Sequence, residues 1–162
     1  MYQLAPWARA LYACDAPWWL QHYDEVARIF SGALWTQHCD EISKSQVQPG
    51  LRALQSIAKP GLSTDPQVLH QGSNSGYQAI NLAYHYGARE VILLGYDMGL
   101  ADDGKRHFFG DHPKGLQVAS DYQMMAAAFN KMHPDRYGLT IKNCSRRSAL
   151  TCFDREDLNA TI

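Results

Sequence analysis

The chain is short of the features that assign a function quickly, and each shortage excludes something. Its four cysteines, Cys14, Cys39, Cys144 and Cys152, include no CxxC pair. That removes the usual zinc and redox signatures and leaves structural thiols as the reading. Charge of one sign is also missing, with 15 basic against 16 acidic residues and a formal net charge of -1. A protein that coats nucleic acid needs a basic surface, so that role is disfavoured. A patch as small as Lys142, Arg146 and Arg147 can meet no more than one phosphate. No long apolar run, leader pattern or lipidation motif is evident, so no membrane partner is expected and the expected setting is cytoplasmic. Neither a Walker sequence nor a GxGxxG fingerprint occurs, and there are no internal repeats.

What is present describes a folded protein. The hydrophobic fraction is 46% and the charged fraction 19% over 162 residues, enough for a single domain with a real core. Residues 9–14 read as a strand. "APWWLQHYDEVARIF" follows as a helix, with Pro17 suited to its first turn and Gly32 closing it. "ALWTQHC" is a strand candidate. Residues 41–67 are ambiguous, with breakers at Pro49-Gly50 and Pro60-Gly61 around a strand-like "LRALQSI". A helix is predicted to start at 73–75 and stop at Gly87. "EVILLG" then reads as a strand buried on both faces of a parallel sheet. A long polar loop, a helix over 118–132, a strand in "GLTIKNCS" and a short terminal strand in "ALTCF" complete the pattern. Strands alternating with helices predict an α/β fold with a mainly parallel sheet.

Three groups of residues can carry chemistry. The turn Gly72-Ser73-Asn74-Ser75-Gly76 opens a helix, where unpaired backbone N–H groups attract an anion; the same residues are also ordinary helix caps. Asp15, Asp97 and the run Asn143-Cys144-Ser145 each follow a strand, and in open α/β sheets ligands bind beyond the carboxyl ends of strands. His107 and His112 flank Asp111 in the long loop. A histidine there can act as a general base or be a solvated bystander, and a metal site would need a third ligand such as Asp97 or Asp102. Trp7, Trp18 and Trp19 can stack on a base or fill the core; one of the adjacent pair must face away from the other.

"SNSGYQAINLAYHYGAREVILLGYDM" with the loop "HFFGDHP" and the later "NCSRRS" resembles the superfamily of bacterial sialyltransferases, flagellin-modifying glycosyltransferases and an archaeal pterin pyrophosphokinase, in its phage-encoded form. The resemblance spans residues 11–153. It implies a Rossmann-like three-layer sandwich and metal-independent, inverting transfer of a sugar from a nucleotide-sugar donor, without a further cofactor. By position, Ser75 and Gly76, with Gly72, Ser73 and Asn74, would face the donor's phosphate. Asp15, Asp97, Asn143 and Ser145 would border the ligand, Tyr96 or Tyr77 would donate a hydroxyl to the leaving phosphate, and His112 or else His107 would take the acceptor's proton. The family opens with a glycine-rich strand unit that precedes anything found here. A shortened single domain over 1–162 is therefore expected, with an exposed sheet edge that favours homo-oligomers. Two other readings stay open: a magnesium-dependent phosphotransferase using Asp15, Asp97 and Asp102, and a non-enzymatic binding domain.

Overall fold

A computed structural model describes residues 2–38, 48–105 and 121–161. In chain order it contains β1 (Ala10–Tyr12), α1 (Ala16–Ile29), β2 (Ala33–Gln37), β3 (Leu51–Ile57), β4 (Val68–His70), α2 (Ser75–His85), β5 (Glu90–Leu93), α3 (Tyr122–Phe129), a 3-10 turn (Pro134–Tyr137), β6 (Thr140–Asn143), β7 (Asp154–Arg155) and α4 (Leu158–Thr161). The strands form a four-stranded sheet, β1-β2-β3-β4, and a three-stranded sheet, β5-β6-β7. Every pairing is parallel, and the fold is Rossmann-like α/β. β3 changes partner along its length: Leu51–Leu54 pair with β2, and Gln55–Ile57 pair with β4. That exchange curls the larger sheet.

Helix α1 forms where apolar residues fall at helical spacing behind Pro17. Its Trp19 and Val26 are fully buried and pack with Tyr2, Phe30 and Leu34 of β2. Each such side chain contributes about 1.5–3 kcal/mol by leaving water. At Gly32 the chain passes so close to the 8–9 segment that a Cβ would lie 2.3 Å from the Ala8 carbonyl oxygen.

Helix α2 is apolar on two sides. Tyr77 and Ile80 join Leu93, Phe129, Ile141 and Phe153 in the core under the smaller sheet, while Leu82 packs with Leu54 and Leu69 of the larger one. Between these faces lies fully buried Asn81. Its Oδ1 accepts from the backbone N–H groups of Ser63 (2.8 Å) and His70 (3.1 Å), and its Nδ2 donates to the Ser63 carbonyl (3.1 Å). The helix thereby fastens the 61–63 loop and β4, and it ties together two sheets that share no strand pairing among the described residues.

Three expectations change. "EVILLG" is not buried on both faces: Leu93 is buried, but Val91 and Ile92 are half-buried, Glu90 is exposed and Leu94 beyond the strand is 54% exposed. "ALTCF" forms no strand; Leu150 and Phe153 are core residues in a loop, and pairing resumes at β7. The strand in the helix-to-sheet region at Val68–His70 was not anticipated. Of the predicted 118–132 helix, Tyr122–Phe129 is helical, and 118–120 lie outside the described residues. No helix among the described residues is long and apolar enough to cross a membrane.

Candidate functional site

The 72–76 turn is shaped first by its own packing. Gly72 is left-handed (φ +51°), and a Cβ there would lie 1.9 Å from Cγ of Tyr77. Ser73 follows, also left-handed at φ +64°. Asn74 is the N-cap of α2: its Oδ1 accepts from the Tyr77 N–H at 2.8 Å, and its Nδ2 donates to the Gly72 carbonyl at 2.9 Å. At Gly76 a Cβ would meet the Tyr96 ring at 2.8 Å. Both expected hydroxyl donors are engaged, Tyr77 donating to the Gly61 carbonyl (2.8 Å) and Tyr96 to that of Gly76 (3.1 Å). Burial pushes each phenol up to about 12, so both stay protonated at neutral pH.

Around this turn the carboxyl ends of β1, β2 and β3 meet, whereas Asp97 borders a separate cavity. Beyond β1, the Cys14 N–H donates to Ser75 Oγ (3.1 Å), and the Ser75 hydroxyl donates to the Cys14 sulfur (3.0 Å). Burial, reinforced by the charge of Asp15, pushes the Cys14 thiol up to about 12. It is therefore no nucleophile at neutral pH. Gln37 at the end of β2 donates to the Cys14 carbonyl (3.1 Å). Gln78, on α2, donates through Nε2 to Gln37 Oε1 (3.0 Å) and to Ser56 Oγ of β3 (3.1 Å). Only 2% of Gln78 is exposed, yet its Oε1 has no partner. Such an orphan acceptor is rare and costs stability unless something binds it. Asp15 stands exposed at the start of α1 and makes no side-chain cap bond.

Tyr96 joins this edge to the smaller sheet. Its N–H donates to Ser145 Oγ (2.8 Å), and its carbonyl accepts from the Ser148 hydroxyl (2.6 Å). Fully buried Asn143 accepts from the Ser145 N–H (3.1 Å) and donates to Ser148 Oγ (2.9 Å). Asn143 and Ser145 thus clasp the ends of β5 and β6 together, and their polar atoms face protein partners. Asp97 is exposed and borders a cavity of about 570 Å³ with Asp102, Asp103 and Arg147; Arg147 is ion-paired with Asp102.

His107, Asp111 and His112 lie outside the described residues. The basic patch suggested at Lys142, Arg146 and Arg147 is largely neutralised, since Lys142 bridges Glu90 (3.0 Å) and Glu156 (3.6 Å) and Arg147 holds Asp102. Trp19 is core, with its indole N–H donating to the Ala13 carbonyl (2.9 Å); Trp18 stacks edge-on against it, and Trp7 is exposed. Sequence reading missed Gln37, Ser56 and Gln78. The signal for Gln78 was a polar residue one turn after Ser75 on a helix whose neighbouring positions are apolar. Among the described residues no group of three His, Cys, Asp or Glu side chains is arranged to hold a metal. No family model, curated protein or solved structure matches the chain.

Proposed function

We propose that the crevice at the carboxyl ends of β1, β2 and β3, closed by the first turn of α2, receives a nucleotide sugar and that the chain is glycosyltransferase-like. The observation that carries this reading is the buried, unpartnered Gln78 Oε1 beside the place where three strand ends meet a helix N-terminus. The Tyr77 N–H is taken by the Asn74 cap, and the N–H groups of Ser75 and Gly76 before it suit a diphosphate. Gln78 Oε1 and the exposed Asp15 suit hydroxyl or base N–H donors. As the sugar leaves, charge grows on the diphosphate, and the fixed helix dipole stabilises that charge without reorganising. The acceptor's proton would go to His112 or His107, a role that rests on the family resemblance. A magnesium-dependent phosphotransferase would draw instead on Asp15, Asp97 and Asp102.

The test is a thermal-shift screen with nucleotides and nucleotide sugars, with and without magnesium. A saturable rise with a pyrimidine nucleotide sugar that is lost in Ser75→Ala and Gln78→Met, each referred to its own melting temperature, supports the reading. A rise that requires magnesium moves it to the phosphotransferase. Absence of any rise removes the donor site and leaves the non-enzymatic binding domain.

A further inference from the structure

We propose that a second anion site, separate from the strand-end crevice, lies in the groove between the 58–61 loop and α3, and that it takes a small phosphate-bearing ligand. Two cavities, about 280 and about 320 Å³, share Pro60 and Lys131 as walls and so form one groove. Lys59, Lys131 and Arg136 line it together with His133, and among the described residues no Asp or Glu lines either part. Asp135, beside Arg136 in sequence, borders a different cavity. In a chain of net charge -1, this is a local excess of positive charge.

Among the described residues, these cations are also free of the carboxylate pairing that holds three others. Lys105, Lys142 and Arg147 each hold a carboxylate. Among the described residues, Lys59, Lys131 and Arg136 hold none. Unneutralised cations set close together repel each other, and an anion relieves that repulsion. Backbone geometry points to the same place. Three non-glycine residues are left-handed, and two of them, Ser73 and His133, line the groove. Such conformations persist only where surroundings hold them, and they gather at binding sites.

The rest of the groove fits the non-ionic part of such a ligand. Met124, Ala127 and Ala128 of α3 give it an apolar wall. Tyr137 lines the same groove with its hydroxyl against Gly61, where a Cβ would come within 2.3 Å of it. Gly72 and Ser73 face this groove, whereas Ser75 faces Cys14 at the strand ends. The one turn therefore separates the two sites.

Titration of the nitrogen-15-labelled full chain with inorganic phosphate and with ribose 5-phosphate, followed by amide shifts, tests the proposal. The expected result is saturable shifts at 59–61, 72–73 and 131–137, with tighter binding of the ester. Lys131→Gln, an exposed substitution that should leave the melting temperature unchanged, should weaken binding by about tenfold, as loss of one charge-assisted bond does. Lys105→Gln should not. Shifts confined to 14–15 and 75–78 would place phosphate at the strand-end crevice alone and overturn the second site. Non-saturating shifts indifferent to Lys131→Gln would overturn it as well. So would binding of a single-stranded oligonucleotide in place of either phosphate compound.

Discussion

Gly72 and Gly76 show what a glycine-rich turn can mean when the partner residue is distant in sequence. Read in isolation, the two glycines suggested room for a phosphate. In the fold, the space above Gly72 is taken by the Tyr77 ring and that above Gly76 by Tyr96, a residue twenty positions away whose hydroxyl returns to the Gly76 carbonyl. Nothing local in "GSNSG" announces Tyr96, so the capping role of Asn74 was legible while the reason for the second glycine was not. Gly72→Ala should destabilise the protein by about 2 kcal/mol or more, because strain at positive φ adds to displacement of a buried ring. Gly76→Ala should cost less, since φ there is ordinary and the Tyr96 ring need retreat only slightly. Urea unfolding of the two variants checks both the size and the order.

At the scale of elements, α2 decides how the molecule holds together, and Asn81 is its central fastener. Asn81→Ala would leave two buried N–H groups and one carbonyl without partners. The expected cost is roughly 3 kcal/mol or more, read by denaturant unfolding. Asn81→Asp keeps both acceptor contacts, loses the donor, and brings a buried charge. It should also destabilise, with the penalty easing as pH falls and the carboxyl is protonated. The strongly periodic elements, α1 and α2, were legible because helix spacing is a local property. β5 was misjudged because an apolar run records a strand's own residues and not what packs over its two faces. β4 and β7, three and two residues long, carry too little pattern to be seen, and they exist because β3 and β6 offer them a template. Gln78 carried a local signal as a polar residue on an apolar stretch of helix, but its role was not legible, because its partners Gln37 and Ser56 come from separate strands.

For the whole molecule, several buried acids of weak type set the response to alkali. The Cys14 thiol is pushed from an ordinary 9.0 up to about 12, and the phenols of Tyr77 and Tyr96 from 10.0 to about 12, in each case mainly by burial. Tyr12 is raised further, also by burial. A group raised on folding favours the folded state while it is protonated in both states. Stability is therefore full below about pH 9 and falls as pH rises toward 12, where the unfolded chain has already released these protons. The fall should reach about 1.4 kcal/mol per pH unit for each group that has titrated only in the unfolded chain. Melting temperatures measured from pH 8 to pH 11 check the direction. Tyrosinate absorbance should show part of the nine tyrosines appearing only as the fold opens.

The division of aromatic residues between the sheets also gives the molecule two built-in optical reporters. All four tryptophans, at positions 7, 18, 19 and 35, belong to the half that contains β1, α1 and β2. The cluster of Tyr77, Tyr96, Phe129 and Phe153 sits under the other sheet. Indole fluorescence therefore follows one half alone, and the near-ultraviolet dichroism of tyrosine follows mainly the other. If α2 makes the molecule a single cooperative unit, the two signals will trace one curve in denaturant; if its hold is loosened, as in Asn81→Ala, they will part.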